Sequence, residues 1–403
     1  TQEVGAKETS AMRTIALDLG VRKIVLCEVR DGDVVHRKTA RSLHELDDFL
    51  GADTPPARVA FEACREAWHV HDRLIALGHE PLLIDTTRVR QIGVGQHGRK
   101  NDRLDAEALA RALAQGRVPR AHVLSPARRQ LRAELSARHA LVMTRAQYVT
   151  TVRGLARSEG VMLPTCATET FVARVRAASL SPAMTAVVAP VLVVIDLIGA
   201  QLVEVETRLE TLARTEPVIA LLATVPGVGL IVASTFVSAL DEAGRFRDGH
   251  SVASYLGLVP SENTTGMAGR RLGAITKQGN PWARAALMQA AHTILRVASA
   301  EDALRLWGDA VIARRGKMIG VVALARRLSG VLWAMWRDDR PYDSARLAAR
   351  SAEGLREDAY ATLTQADRLA AIAGAEKKIY PRTTTRRPRR APARKATEVT
   401  RRG

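Results

Sequence analysis

The amino-acid sequence predicts an α/β domain at the N-terminal end of the chain, followed by a long helical region. Three observations support this prediction. Residues 13–40 hold three strand-like runs, residues 57–116 alternate strands with helices, and residues 125–350 show helical periodicity without a second strand-rich stretch. A chain of 403 residues is long enough for two or three such domains.

The first domain is predicted from apolar runs that stop at turn residues. Asp31-Gly32 is a strong hairpin signal between the second and third runs, and a short helix at 42–51 is expected to begin at Ser42 and end at Gly51. The remaining runs are a strand at 57–64, a helix at 65–78, a strand at 81–85 and a helix closed by Gly116. The resulting order, β-β-β-α-β-α-β-α, is that of the ribonuclease H-like fold.

Four carboxylates mark the chemistry of this domain. Asp18 lies near the end of the first strand, Glu62 near the end of the fourth, and Asp102 with Asp105 on the last helix. In a ribonuclease H-like sheet these positions converge, and the mutual repulsion would be relieved by two Mg²⁺ ions, for which Mn²⁺ can substitute. Taken singly, the two helix carboxylates could instead favour a helix N-terminus, and Asp18 could cap a turn.

The charge of the chain indicates a polyanionic partner. The net charge is +18, and residues 377–403 carry eleven Lys or Arg against one Glu. A basic body with a basic arm is typical of nucleic-acid binding, although a solubilising surface is the simpler alternative. Three widely separated cysteines suit a reducing cytosol. The apolar stretch 183–203 contains Pro190 and Asp196, so a buried helical segment is expected rather than a membrane span.

The helical region has its own periodic signals. Two long helices are predicted, with apolar residues at heptad-like spacing on each, and they form either a coiled-coil dimerisation arm or a plain helical bundle. The spaced residues are Leu135, Val142 and Val149 on one helix and Leu202, Val205, Leu209 and Leu212 on the other. Further on, the turn at 226–229 predicts a helix-hairpin-helix, in which Gly227 and Gly229 would offer backbone N–H groups to a phosphate.

The combined motifs resemble a known family. The Asp-Glu-Asp-x-x-Asp set, the VPGVG turn and the segment GLVPSE…ITKQGN…R together resemble the bridge-RNA-guided insertion-sequence transposases, a DEDD recombinase family related to Piv-type DNA invertases. The resemblance covers about residues 13–345. IALDLG followed by a hairpin also resembles the first phosphate loop of sugar kinases and actin-like ATPases. Those proteins need a second sheet with its own glycine-rich phosphate loop, which the helical pattern of residues 125–350 does not predict.

The resemblance implies a RuvC-like domain, a coiled-coil arm and a C-terminal transposase domain. It implies cleavage and rejoining of DNA strands with Mg²⁺ on Asp18, Glu62, Asp102 and Asp105, beside a hydroxyl nucleophile that forms a covalent protein–DNA intermediate. The family's serine position holds Thr265 here. Three possibilities follow: Thr265 is the nucleophile, Ser261 or Thr264 replaces it, or catalysis is impaired.

The same resemblance implies the partners. These are donor and target double-stranded DNA, a structured non-coding guide RNA and further copies of the chain in a homodimer or homotetramer, with no membrane and a place on the bacterial nucleoid in the cytoplasm. The predicted contacts with nucleic acid are Arg270, Arg271, Lys277, Arg284, Arg314, Arg315 and Lys317 together with the two turn glycines. Aromatic residues are only 4% of the chain, so backbone contacts should outweigh base stacking.

The predicted domains are a leader at 1–11, a RuvC-like DEDD domain at 12–120, a helical arm at 121–215, a transposase domain at 216–345, and a linker helix with a basic tail at 346–403. Two other functions fit parts of this pattern. A metal-dependent nuclease or junction resolvase would cut without a covalent step, and a non-catalytic scaffold would only bind nucleic acid.

Overall fold

The structure is a computed structural model that describes residues 12–86, 88, 102–262 and 272–355, with only the backbone described at Asp102 and at 350–355. The predicted leader, the basic tail, and Thr264, Thr265, Arg270 and Arg271 lie outside these residues. The chain divides into two compact units, Thr1–Leu124 and Ser125–Gly403. The finer division of the second unit into an arm and a transposase domain stays a prediction.

The first unit is built on one five-stranded mixed sheet. Its strands are β1 (Arg13–Leu19), β2 (Ile24–Arg30), β3 (Asp33–Ala40), β4 (Ala57–Glu62) and β5 (Glu80–Ile84). The order across the sheet is β3-β2-β1-β4-β5. The first three strands are antiparallel, and β4 is parallel to both β1 and β5. The predicted α/β class and the element order of this unit are confirmed.

Helices cover both faces of the sheet. They are α1 (Asp47–Leu50), α2 (Ala67–Ala76) and α3 (Asp102–Ala114). Alternate residues of a strand point to opposite faces. Leu17 and Phe61 therefore pack in the cluster that contains Val70 of α2, whereas Ala16 and Ala60 pack in the cluster that α3 closes. The small alanine side chains let α3 approach the sheet closely.

The turn predictions have mixed outcomes. Asp31 and Gly32 both have positive φ, as a two-residue hairpin turn requires, and Gly51 ends α1 as expected. The prediction that Ser42 caps the short helix is wrong. The segment opens as a 3-10 turn, His44–Leu46, whose N-cap is Leu43 without a side-chain hydrogen bond. The Glu45 carboxylate instead accepts the backbone N–H of Arg41.

The second unit is mainly helical. Its elements are α4 (Pro126–Ser158), α5 (Phe171–Arg176), α6 (Pro182–Arg214), α7 (Pro217–Leu222), α8 (Leu230–Leu240), α9 (Gly249–Tyr255), β6 (Pro260–Glu262), β7 (Leu272–Ile275), α10 (Pro281–Val297), α11 (Ala303–Arg315), α12 (Lys317–Asp338) and α13 (Ser344–Leu355). The described residues thus form thirteen α-helices in all. Fully buried apolar side chains, including Leu222, Phe236, Leu287 and Leu324, form one core across α7 to α12.

Two helices of 33 residues each, α4 and α6, pack along one another. At 1.5 Å per residue each is about 50 Å long. Leu202, Val205 and Leu209 of the predicted seam are buried. Ser125 is the N-cap residue of α4, but its hydroxyl donates 2.7 Å to the buried Asp241 carboxylate instead of accepting from the first turn. This bond ties the start of α4 to the end of α8.

Only one face of α6 is covered. Val193, Leu197 and Val203 are exposed. The expectation of a buried segment therefore holds only for the face of α6 that packs against α4 and α5. By length and composition, two of the described helices, α6 and α12, could cross a membrane. Half of the apolar stretch of α12 is buried within the protein, where it serves as a core helix of the second unit.

Candidate active site

Asp18 and Glu62 lie at the same edge of the five-stranded sheet. The parallel pairing of β1 with β4 ends at Leu17 opposite Phe61, so the two carboxylates occupy the next position on each strand. Each lies two residues after an alanine, Ala16 or Ala60, that packs against α3, so both carboxylates are on that face of the sheet. Neighbouring strands are about 4.8 Å apart, so two half-buried carboxylates stand side by side on the backbone.

The direction of α3 brings its first turn to that edge. Arg111, in the last turn of α3, donates a hydrogen bond to the carbonyl of Gly32, in the turn beside the beginning of β1. The N-terminal turn, with Asp102 and Asp105, therefore lies toward the opposite edge, where β1 and β4 end. Asp105 is half-buried, and the next residue, Ala106, packs in the core. Backbone topology thus brings all three predicted elements to one edge.

The described side chains at this edge do not form a cluster that could bind a metal ion. Among the residues that the structure describes, no three His, Cys, Asp or Glu side chains are close enough to hold a metal ion together. The side chain of Asp102 lies outside that description. Asp85 follows β5 at the same edge, but Ile84 faces α3, so Asp85 points to the other side of the sheet. The four-carboxylate metal site stays a prediction.

The predicted nucleophile lies in the connection of a small hairpin in the second unit. Strands β6 and β7 pair antiparallel, and residues 263–271 between them, with Thr265, lie outside the described residues. Ser261, the alternative nucleophile, is described. Its hydroxyl donates to the carbonyl of Ala274 at 3.0 Å across the hairpin. A β-carbon at Gly273 would stand only 2.5 Å from that hydroxyl oxygen, so glycine makes room for the bond.

Two glycines allow close backbone contact between the segment before β6 and the segment after β7. Gly257 and Gly279 have φ of +70° and +95°. A β-carbon on Gly257 would lie 1.9 Å from the carbonyl oxygen of Gln278, and one on Gly279 would lie 2.0 Å from that of Tyr255. Backbone here packs directly on backbone, which only glycine permits. The glycines of the motif therefore fix the base of the hairpin.

Arg284 links the same two backbone segments by hydrogen bonds. Its Nη1 donates to three carbonyl oxygens, those of Leu256, Gln278 and Gly279, at 3.0–3.2 Å. Burial lowers the pKa of Arg284. The sequence suggested a contact with nucleic acid, whereas the geometry gives this guanidinium a positioning role. Whether Arg284 also contacts a phosphate stays a prediction.

Residues next to Arg284 complete the motif. Asn280 caps α10 by accepting the N–H groups of Trp282 and Ala283, and Lys277 has a φ of +56°. Trp282 is partly exposed and packs against His139 of α4, with ring centroids 4.8 Å apart and ring planes tilted by 35°. The sequence does not indicate this aromatic pair, because no spacing rule connects residues so far apart in the chain.

The predicted phosphate turn between α7 and α8 is packed against α10. Gly227 has a φ of +83°, and a β-carbon there would lie 2.9 Å from the backbone nitrogen of Ile294. Val225 and Val228, on either side, are buried. Gly229 begins α8 with open space around it. Gly227 therefore has a packing role, and phosphate binding by the turn stays a prediction.

Comparison with known proteins identifies the family. Residues 219–305, from α7 to the start of α11, match the family described as "Transposase IS116/IS110/IS902 family". A protein of Pseudomonas aeruginosa named "Probable family 20 transposase" is 30% identical over 329 residues, which cover 80% of this chain and 96% of that relative. The chain belongs to this family of transposases.

Further relatives of this transposase are themselves named for insertion sequences. The transposase for insertion sequence element IS1111A of Coxiella burnetii is 24% identical, over 82% of this chain and 91% of that relative. The transposase for insertion sequence element IS1328 of Yersinia enterocolitica is 26% identical, over 80% and 96%. This transposase is therefore an enzyme of DNA transposition, and the predicted family and enzyme class are confirmed.

Proposed function

We propose that this transposase cuts and rejoins DNA with Mg²⁺ held by the RuvC-like first unit. The observation that carries the proposal is that Asp18 and Glu62 occupy equivalent positions on the neighbouring parallel strands β1 and β4. They lie at the edge of the sheet toward which the first turn of α3, with Asp102 and Asp105, is directed. Carboxylate oxygens are the ligands that Mg²⁺ prefers. When bound, the ions would relieve the repulsion of the carboxylates and stabilise charge on the scissile phosphate.

We further propose Thr265 as the nucleophile. Its hydroxyl gives up its proton to solvent, and its oxygen bonds to phosphorus as the bond from phosphorus to the leaving sugar oxygen breaks. The departing sugar oxygen takes up a proton from solvent. The phosphoester formed retains the energy needed to rejoin strands. The methyl group that threonine carries in addition to the hydroxyl restricts rotation about χ1, so the hydroxyl must be held in an attacking rotamer. The hydroxyl bond of Ser261 to Ala274 argues against Ser261 in this role.

A trapped protein–DNA adduct tests the covalent step. The full-length protein is incubated with its DNA and Mg²⁺ and denatured, and labelled DNA is followed into the protein band. Thr265→Ala should abolish the adduct, whereas Ser261→Ala and Thr264→Ala should retain it. DNA cleavage without any adduct would favour the nuclease or resolvase alternative. Strand transfer by Asp18→Asn at the wild-type rate would indicate an active site elsewhere, with the first unit acting only as a nucleic-acid-binding scaffold.

Guidance by RNA forms a second part of the proposal. The basic composition and the scarcity of aromatic side chains favour backbone recognition, with sequence read by pairing between nucleic acids. RNA that copurifies with the full-length transposase should be a single defined species whose loops match donor and target DNA. Purification with only heterogeneous RNA would contradict guidance and leave the metal site untouched. Such an enzyme acts on the nucleoid in the cytoplasm.

Oligomerisation through the α6 surface completes the proposal. Val193 and Leu197 lie four residues apart on the exposed side of α6, opposite the seam with α4. Exposed apolar stripes on long helices commonly mark protein contacts. We expect a homodimer or homotetramer in analytical ultracentrifugation, which Leu197→Glu dissociates and Met162→Glu, on an exposed loop, does not. Flotation of the protein with lipid vesicles would instead assign this stripe to a membrane.

A further inference from the structure

The turn between α11 and α12 carries unusually exposed apolar side chains. Met318 is 73% exposed, more than any other large apolar residue described in the second unit, and Ile319 is 50% exposed. Neither belongs to the core that holds the two helices together. They lie in the first turn of α12, at the tip of a helical hairpin. This tip consists of residues 314–319.

The hairpin behind the tip is closely packed. Gly316 alone separates the helices, with a φ of +85°. Below it, a β-carbon on Gly320 would lie 2.3 Å from Cγ1 of Ile312, and one on Gly308 would lie 2.9 Å from Leu324. The Arg327 guanidinium stacks over the Trp307 ring at 4.8 Å. These contacts pair α11 and α12 antiparallel and hold the tip on a rigid support.

Positive charge surrounds the apolar pair. Arg314 and Arg315 end α11 and are exposed, and Lys317 begins α12. No acidic residue occurs between 310 and 337 in the sequence. The tip therefore presents two apolar side chains between cations, a combination that complements the phosphates and the base stack of a duplex. Neither feature alone would indicate DNA.

We propose that the α11–α12 tip is a DNA-deforming wedge. Met318, with Ile319 beside it, enters the minor groove and separates two stacked base pairs, while Arg314 and Arg315 hold the flanking phosphates. Apolar wedges of this kind unstack flexible base steps and kink the duplex. The inference rests on DNA as the substrate of the proposed function. It adds a residue pair that shapes the DNA rather than one that reacts with it.

Fluorescence of 2-aminopurine tests the wedge directly. Mixed-sequence duplexes with 2-aminopurine at a TA step are titrated with the full-length protein in EDTA, so that no cleavage occurs. We expect fluorescence to rise on binding as the base unstacks. Met318→Ser with Ile319→Ser should lose this rise and bind about tenfold more weakly, because the apolar contacts are removed. Met162→Ser changes a methionine that is also exposed but lies in another loop, and this variant should behave as wild type.

The arginines give a separate readout. Arg314→Gln and Arg315→Gln should each lower the slope of log affinity against log salt by about 1, since each removes one phosphate contact. The double serine variant should leave that slope unchanged. An unchanged fluorescence rise in the serine variant would overturn the wedge. If the wild-type protein binds anionic lipid vesicles and the double serine variant does not, the wedge proposal is overturned and the tip is assigned to a lipid surface.

The design separates the wedge from the active site. Asp18→Asn, measured in the same titration, should keep the full fluorescence rise although it cannot cleave. If Asp18→Asn retains cleavage while the serine variant loses the rise, the proposed metal site fails and the wedge stands. If Asp18→Asn loses cleavage while the serine variant keeps the rise, the wedge alone fails.

Discussion

Asp18 and Glu62 follow, in register, the last paired residues of two parallel strands, and both lie on the sheet face that α3 covers. Two carboxylates held this close repel each other unless a proton or a cation intervenes. Replacing either with a neutral isostere should therefore remove the stabilisation that a bound cation gives at this edge. The same change should abolish catalysis.

We expect Asp18→Asn and Glu62→Gln each to lose the rise in melting temperature that Mg²⁺ should cause in the wild type relative to EDTA. Strand cleavage should fall by at least about 100-fold. Differential scanning fluorimetry and a cleavage assay measure the two effects. Asp85→Asn is the matched control, since Asp85 directly follows the next strand, β5, but faces the other side of the sheet. Equal effects of all three substitutions would contradict a site on the α3 face.

Arg284→Lys should weaken the base of the β6–β7 hairpin. Lysine carries the charge but cannot reproduce the guanidinium geometry that serves three carbonyls. We expect a loss of about 1–3 kcal/mol in unfolding free energy by urea titration, and lower cleavage with unchanged Mg²⁺ binding. Arg296→Lys, on an exposed turn of the same helix, should change neither. Loss of DNA affinity at full stability would instead assign Arg284 to phosphate contact.

The two glycines of the α7–α8 turn should respond differently to alanine. Gly227→Ala places a β-carbon against α10 at a positive φ and should cost about 2 kcal/mol or more. Gly229→Ala enters open space at a negative φ and should cost less than about 1 kcal/mol. Chemical denaturation measures both. A large fall in DNA affinity in stable Gly229→Ala would support phosphate binding by the turn.

The buried pair Arg13–Glu28 should make the first unit sensitive to acid. Glu28 is 1% exposed and accepts two hydrogen bonds from Arg13, each 2.9 Å. Burial raises the pKa of Glu28, but the hydrogen bonds and charge of Arg13 outweigh it and hold that pKa below its ordinary value of 4.5. The stabilisation is therefore present above the ordinary value and is lost as pH falls through the depressed pKa.

We expect Glu28→Gln to lower the unfolding free energy at pH 7 by about 3 kcal/mol, because the charge of Arg13 stays buried. Its stability should then vary less between pH 5 and 3 than that of the wild type, as urea titrations at each pH would show. Glu80→Gln breaks a half-exposed pair with Arg58 and should cost less than about 1 kcal/mol. Parallel pH profiles for Glu28→Gln and the wild type would contradict this account.

Much of the fold follows from local sequence. Apolar runs, the Asp31-Gly32 turn and the stops at Gly51 and Gly116 predicted the strands and helices of the first unit in order, because these signals act through neighbouring residues. The capping prediction at Ser42 failed because the sequence offers another local hydrogen bond, from the backbone N–H of Arg41 to the Glu45 side chain, and the turn begins after Leu43 without a side-chain cap. Here the Glu45 carboxylate holds the turn.

The sequence by itself determined the order of the elements, the apolar faces, the family motifs and the basic character of the chain. Tertiary structure alone decided which carboxylates share a sheet face, that Arg284 serves three carbonyls, that Gly227 packs on α10, and that Met318 stays uncovered. Periodicity is set by covalent geometry along the chain. Contacts between distant segments depend instead on how whole helices and strands fill space together.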